Sequence, residues 1–64
     1  MTPYRVIKLL NEQYSCNYPT QLGYNYVRAG LIKGKKIDGK WSITEEDAKA
    51  WIQKFAARNI TTSN

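Results

Sequence analysis

The chain has 64 residues, a formal net charge of +5 and hydrophobic residues at 42% of its positions. This length allows one small domain, and the apolar fraction, which includes two Trp, five Tyr and one Phe, argues against a disordered chain. One cysteine and no histidine exclude an internal disulfide and leave zinc without a ligand set.

Thr2 and Pro3 mark the start of a first helix, since threonine is a preferred N-cap and proline fits the first helical position. Apolar residues then recur at helical spacing, at Val6, Ile7, Leu10 and Tyr14. We predict helix 1 from Pro3 to about Gln13. The polar turn formers at 15–17 should end it.

A second helix is predicted to open at Pro19 or Thr20 and to run to about Ala29. Gly30 follows where a left-handed C-cap is expected. Gly23, in the middle of this helix, would permit close packing on helix 1 or the close approach of a partner. The residues expected to face inward, or to pack just beyond the helix end, are Leu22, Tyr26, Val27 and Leu31.

Asp38-Gly39 is a strong two-residue turn signal, because a type I′ turn needs positive φ at both positions. It predicts a hairpin in which residues 35–37 pair with residues 40–43. Trp41 and Ile43 share one face by the two-residue period of a strand. We expect Ile37 to join them over the core.

Thr44 should cap a third helix. The acidic run Glu45, Glu46 and Asp47 then occupies the first turn, where the helix dipole favours anions, so it is not interpreted as a metal or catalytic cluster. An apolar stripe follows at Ala48, Trp51, Ile52 and Phe55. Both tryptophans are expected in the core. We predict one domain at 1–58 and a frayed tail at 59–64.

Catalysis, cofactors and membranes are not expected. The serines and Cys16 have no evident activating base, and no glycine-rich phosphate loop follows a strand. No apolar run approaches membrane-spanning length, and the first ten residues lack the apolar core of a signal peptide. A free cysteine fits the cytosol, so we expect a cytoplasmic protein without catalytic or metal-binding residues.

Ten Lys and Arg against five Asp and Glu favour a polyanionic partner, with nucleic acid ahead of acidic lipid. Helices 1 and 2 would form a helix-turn-helix whose second helix reads base edges in the major groove. The candidate base-reading residues are Thr20, Gln21, Tyr24, Asn25 and Arg28. The candidate backbone or minor-groove contacts at the hairpin are Lys33, Lys35, Lys36 and Lys40, of which Lys36 and Lys40 should flank the tip.

The segment 28–52, RAGLIKGKKIDGKWSITEEDAKAWI, resembles the winged-helix DNA-binding domains of phage and plasmid excisionases and of the MerR class. The resemblance covers about residues 2–55. The residues that match in type and order are Arg28, Gly30, Leu31, Gly39, Trp41, Glu46, Asp47 and Trp51. The chain departs from the family upstream, with Arg5 where an acid is common and a longer first turn at 11–19. The resemblance implies a mostly α winged helix-turn-helix, α-α-β-β-α.

This family resemblance also implies a small DNA-binding protein of a mobile element. Such a protein acts as an excisionase, biasing a recombinase toward excision, or as a small transcriptional regulator. The absence of a coiled-coil helix after Phe55 favours a monomer that assembles cooperatively on DNA. Two alternatives stay open. The dense tyrosines could stack on single-stranded DNA, with Tyr14 and Tyr26 in the core and Tyr18 and Tyr24 at its rim. The domain could also dock on a recombination or replication protein.

Overall fold

Three helices and one two-stranded antiparallel hairpin make up residues 1–60, which are the residues that the computed structural model describes. The elements in chain order are α1 (Pro3–Tyr14), α2 (Gln21–Arg28), β1 (Lys35–Ile37), β2 (Lys40–Ser42) and α3 (Glu45–Asn59). The predicted mostly helical class and the order α-α-β-β-α are confirmed, and this order is compatible with a winged helix. We call the hairpin, residues 35–42, the wing.

Local backbone preferences explain both ends of α1 and the end of α2. The Thr2 hydroxyl accepts a hydrogen bond from the Arg5 N–H at 3.2 Å, as an N-cap does. The helix ends one residue later than predicted, because Ser15 adopts a left-handed conformation with φ 54°. Thr20 precedes α2 but its side chain makes no capping bond. Gly30 has the predicted positive φ, 83°.

α2 lies directly against the first turn of α1 at Gly23. A Cβ atom built on Gly23 would stand 2.2 Å from the carbonyl oxygen of Pro3 and 3.0 Å from the Ile7 side chain. Real Cβ atoms do not approach a backbone oxygen so closely. The glycine therefore permits a backbone-to-backbone contact between the two helices, which is the first of the two roles predicted for it.

The segment between α1 and α2 is held by the Asn11 side chain. Its Nδ2 donates to the Tyr18 carbonyl, and its Oδ1 accepts from the Tyr18 N–H, each at 2.9 Å. The amide thus satisfies both backbone groups of one residue, as a neighbouring strand would. The sequence alone did not indicate this contact, although it explains how the long connection 15–20 is fixed.

The core lies where α1, α2, the base of the wing and α3 meet. Its buried hydrophobic residues are Val6, Ile7, Leu10, Val27, Ile32, Ile43, Ala48, Ile52 and Ala56. Leu31, expected to pack beyond α2, is instead 64% exposed, and Ile32 is buried in its place at 1% exposure. The reason is the turn after α2. The N–H groups of both residues point back to the Tyr26 carbonyl, and only the second side chain then reaches the core.

The wing has the predicted type I′ features, with φ 51° at Asp38 and 76° at Gly39. Its register pairs Lys36 with Trp41 and Ile37 with Lys40. Residues directly opposite each other share a face, so Ile37 lies on the other face from Trp41. The expectation that Ile37 covers the core is therefore wrong, and this side chain is 56% exposed.

β2 ends at Ser42, one residue before the predicted end, because Ile43 bonds to a different part of the chain. Met1 and Ile43 exchange two backbone hydrogen bonds in the manner of neighbouring antiparallel strands. The Ile43 side chain is buried, at 1% exposure. The segment that leads into α1 is thereby attached to the base of the wing.

α3 begins as predicted, since the Thr44 hydroxyl accepts from the Asp47 N–H at 3.1 Å. Its fully buried stripe is centred on Ala48, Ile52 and Ala56, one helical turn apart. Trp51 and Phe55 were predicted in this stripe, but they lie at its edge and are half-buried. Trp41 is also half-buried, so both tryptophans pack against the core rather than within it.

The end of α3 extends further than the predicted domain. The helix continues to Asn59, and Ile60 packs against the core as a partly buried side chain. The fraying predicted for the rest of the tail concerns residues 61–64, which lie outside the described residues.

Replacing Gly23 with alanine should destabilise the protein even though alanine is the better helix former by about 1 kcal/mol. The added methyl group would overlap the Pro3 carbonyl, and overpacking of this kind typically costs about 1–3 kcal/mol. The free energy of unfolding from urea titration should fall accordingly. Asn25→Ala, which changes helix propensity on the exposed side of α2, is the control and should not lose stability. A Gly23→Ala protein that unfolds at the same urea concentration as the wild type would contradict the close contact between the helices.

Removing the Asn11 amide should release the connection between α1 and α2. Asn11→Ala leaves the Tyr18 N–H and carbonyl without their partner, a loss of about 1–3 kcal/mol in unfolding free energy. Hydrogen exchange at the Tyr18 amide should accelerate at the same time. Asn17→Ala, at an exposed position six residues away, should change stability by no more than about 0.5 kcal/mol. Equal effects of the two substitutions would argue against a stabilising role of the hydrogen bonds between the Asn11 amide and the Tyr18 backbone.

Candidate nucleic-acid interface

One face of α2 is polar and exposed. Four of the five candidate base-reading residues lie three or four positions apart, which puts them on one side of the helix. These exposed residues, which we call the α2 stripe, are Gln21, Tyr24, Asn25 and Arg28. The fifth candidate, Thr20, is half-buried at the N-cap position and stands at the end of the stripe.

Two members of the stripe are bonded to each other. Arg28 donates from its guanidinium to the Asn25 Oδ1 at 3.2 Å. A carbonyl oxygen can accept two hydrogen bonds, so the Asn25 oxygen keeps one further acceptor site. A bidentate contact to adenine needs both the oxygen and the NH₂ of an amide side chain. Arg28 can therefore orient the Asn25 amide while the amide still offers its oxygen and its NH₂ to adenine.

The wing presents a set of exposed cations. All four predicted wing lysines, Lys33, Lys35, Lys36 and Lys40, are exposed. The Lys36 ammonium stands over the Trp41 ring at 5.7 Å from its centroid, a cation–π contact that follows from their direct cross-strand pairing. Lys35 lies on the opposite face of the hairpin. The lysines therefore surround the wing rather than line one side of it.

A small cleft joins the wing to the α2 stripe. Tyr24 from α2 and Lys40 and Trp41 from the wing line one depression of about 270 Å³. Thr2 and Pro3 at the start of α1 also line it. The tertiary structure thus brings a predicted base-reading residue and a predicted wing lysine to a single surface.

This surface is positively charged and lacks internal neutralisation. Asp38 is the acidic residue of the wing turn, between Lys36 and Lys40 in sequence. Within residues 1–60, none of the wing lysines forms an ion pair with an acidic side chain. Their charge is consequently available to an external anion, which gains most from cations that are not already paired.

Sequence reasoning missed Trp41 as part of the interface. We expected this residue in the core, whereas it supports Lys36 on one side and lines the cleft with Tyr24 on the other. The sequence contained the information needed to predict this position. A two-residue turn at 38–39 places position 36 opposite position 41, so the lysine and the tryptophan could have been predicted to share a face.

Two other kinds of site are absent from the described part of the chain. No group of three or more His, Cys, Asp and Glu side chains in residues 1–60 is arranged to hold a metal ion. Over the same residues, no helix has the length and apolar content needed to cross a membrane. The expected absence of a cofactor stays a prediction.

Comparison with known proteins gave no match, whether with protein-family models, with curated proteins or with solved structures. The α-α-β-β-α order is compatible with a winged helix, but no family is shown. The geometry of the chain's own residues is therefore the basis for inferring its function.

Proposed function

We propose that this protein binds duplex DNA as a winged helix-turn-helix module. The main support for the proposal is that the two candidate surfaces, the α2 stripe and the wing, are continuous with each other. The exposed polar stripe of α2 and the lysine-rich wing meet at the cleft lined by Tyr24 and Lys40. A duplex presents base edges and phosphates side by side, so one continuous polar and cationic surface suits both contacts.

In this proposal α2 enters the major groove with the α2 stripe toward the bases. Gln21 lies in the first turn and exposes an amide that fits adenine. Arg28 would orient the Asn25 amide through their hydrogen bond and contact guanine or a phosphate with its remaining N–H groups. Thr20 contributes from the N-cap position. Base contacts from these side chains would provide sequence specificity.

The wing provides affinity rather than sequence information. Lys40 lines the cleft beside Tyr24, Lys36 stands over Trp41 on the other face of the hairpin, and Lys33 and Lys35 add further exposed positive charge. Cations at these positions would neutralise backbone phosphates or enter the adjacent minor groove. The stacking of Lys36 on Trp41 restricts its ammonium to one side of the wing, which lowers the entropy lost on binding.

The resemblance of residues 28–52 to excisionase-like domains supports a finer proposal. The protein would serve a phage, plasmid or other mobile element as a recombination directionality factor or as a small transcriptional regulator. It would act in the cytoplasm, as a monomer or in cooperative assembly on DNA, with a recombinase or replication protein as its protein partner.

Binding to single-stranded DNA is the rival function. Stacking on unpaired bases needs free aromatic faces. Tyr18 is half-buried and packs edge-on against Phe55, with ring centroids 5.3 Å apart. Tyr24 is 37% exposed. The tyrosines therefore offer less stacking surface than their number in the sequence suggested, which favours the duplex.

Substitution of the amides in the α2 stripe should separate specific from non-specific binding. Gln21→Ala or Asn25→Ala removes a base contact without changing charge, so affinity for the preferred duplex should fall by about 1–3 kcal/mol. Affinity for unrelated duplexes should hold. Sites selected from random duplex DNA provide the preferred sequence, and titrations by fluorescence anisotropy provide both affinities. If selection recovers no preferred sequence, or if both affinities fall together, α2 does not read bases.

Substitution of the wing lysines should weaken specific and non-specific binding alike. Lys36→Ala and Lys40→Ala should weaken binding to every duplex and reduce the slope of log affinity against log salt by about 0.9 for each lost phosphate contact. Lys8→Ala, which removes an exposed charge from α1, is the matched control and should leave the slope nearly unchanged. Unchanged affinity of the wing variants at low salt would rule out phosphate contacts there.

A direct competition distinguishes the duplex from its rival. Labelled duplex bound to the protein should resist displacement by the same sequence in single-stranded form. If the single strand wins, and if Tyr18→Ala or Tyr24→Ala costs about 1–3 kcal/mol of its affinity, then the stacking function replaces the one proposed.

A further inference from the structure

A second surface of the molecule has the character of a binding site and takes no part in the proposed DNA contact. A groove of about 690 Å³ lies between the end of α2 and the C-terminal half of α3. Its volume is in the range of ligand-binding clefts, about 300–1,000 Å³. The lining residues that matter here are Tyr26, Leu31, Trp51, Lys54, Phe55 and Arg58. We call it the aromatic groove.

The floor of the aromatic groove is apolar and incompletely covered. Trp51 and Phe55 stack with ring centroids 4.9 Å apart, and Tyr26 tilts against both rings at 5.6 and 6.0 Å. Leu31 stands at the edge with 64% of its surface exposed. A partner that covered these side chains would gain roughly 25 cal/mol for each Å² of apolar surface removed from water.

The rim of the groove is cationic. Lys54 and Arg58 are one turn apart on α3, and both are exposed. No acidic side chain is among the described residues that line the groove, and neither cation forms an ion pair within residues 1–60. The acids of α3 stand in its first turn, at 45–47, about 10–14 Å along the axis from Lys54 at the 1.5 Å rise of a helix. An acidic ligand is therefore complementary to this surface.

The aromatic groove and the α2 stripe lie on opposite sides of α2. Tyr26 is two residues from Tyr24 and two from Arg28, which is a rotation of about 200° around the helix in each direction. The α2 stripe faces solvent, whereas Tyr26 on the other side of the helix packs against α3. A ligand in the groove would consequently leave the α2 stripe free.

We propose that the aromatic groove binds an acidic segment of a partner protein, one that carries large apolar side chains among its carboxylates. Apolar anchors would cover Leu31 and the edge of the Trp51–Phe55 stack, and the carboxylates would pair with Lys54 and Arg58. An amphipathic helix laid into a groove is a common form of such recognition. The site would let the protein hold its partner and a duplex at once.

The same observations disfavour the other possible occupants. A second copy that placed the two grooves face to face across a twofold axis would bring the cations of both rims into one interface, and like charges across an interface are repulsive. Stacked bases need free ring faces, but Phe55 already contacts three other rings, those of Tyr18, Tyr26 and Trp51. The ring faces of this groove are therefore largely covered by neighbouring rings, which leaves little surface on which a base could stack.

The test starts from a displayed library of random peptides long enough for four helical turns, about 15 residues. The library is selected on the wild-type protein after depletion on a Leu31→Ser/Lys54→Ala variant. Leu31 and Lys54 are both exposed, so this variant should fold normally, which circular dichroism can verify. The recovered peptides should be enriched in Asp and Glu around two or three large apolar residues. Recovery of basic or unrelated sequences would overturn the proposal.

One recovered peptide is then synthesised and titrated against two double variants that remove the same number of positive charges. Lys54→Ala/Arg58→Ala should reduce its affinity about tenfold, whereas Lys36→Ala/Lys40→Ala should change it less than about twofold. In NMR titrations the indole N–H signal of Trp51 should shift and that of Trp41 should not. Equal losses in the two double variants would mean unspecific charge attraction and would contradict the site.

Three further outcomes would also overturn it. Sedimentation could reveal self-association that Leu31→Ser abolishes, which would make the occupant a second copy. A single-stranded thymidine oligonucleotide could shift the Trp51 signal and displace the peptide, which would make it nucleic acid. Displacement by duplex DNA would mean that the two surfaces overlap. Peptide binding is measured without DNA, so failure of the duplex function would leave this result intact, and failure here would leave the duplex function intact.

Discussion

The backbone contact between α2 and the first turn of α1 is the constraint on which the other parts of this small fold depend. Gly23 leaves no room for a side chain, since the Pro3 carbonyl oxygen would be 2.2 Å from its Cβ. Because α2 spans only residues 21–28, it has little surface with which to pack, and a close approach lets that short helix bury Val27 against the core. The same contact sets which side of α2 faces outward.

The three residues at 1–3 also connect the helix to the wing. Met1 shares backbone hydrogen bonds with Ile43, Thr2 and Pro3 line the same cleft as Tyr24 and Lys40, and Pro3 meets Gly23. A movement of this segment would therefore displace the α2 stripe and the wing together. In the proposed duplex complex, such a connection would preserve the spacing between the candidate base-reading and phosphate-binding groups.

The aromatic residues compensate for a core that is small. Tyr18, Tyr26, Trp51 and Phe55 form a continuous series of ring contacts that ties α2 and the preceding connection to α3. Aromatic side chains bury large areas even when they are half exposed, and their edge-to-face and stacked pairs add to that burial. Three of these rings, those of Tyr26, Trp51 and Phe55, also line the aromatic groove, so most of one cluster both stabilises the fold and offers a surface on its outer side.

The sequence by itself determined the element order, the caps at Thr2 and Thr44, the turn at 38–39 and the polar face of α2, because each depends on a few neighbouring residues. It also predicted four exposed residues of the α2 stripe and all four wing lysines. The tertiary structure alone decided that Ile32 rather than Leu31 is buried, that both tryptophans lie at the edge of the core, and that Tyr24 meets Lys40 in one cleft. Whether a residue at the end of an element is buried depends on where the neighbouring elements lie in the fold, and helical or strand periodicity does not contain that information. The position of Ile37, in contrast, follows from the hairpin register and could have been predicted from the sequence.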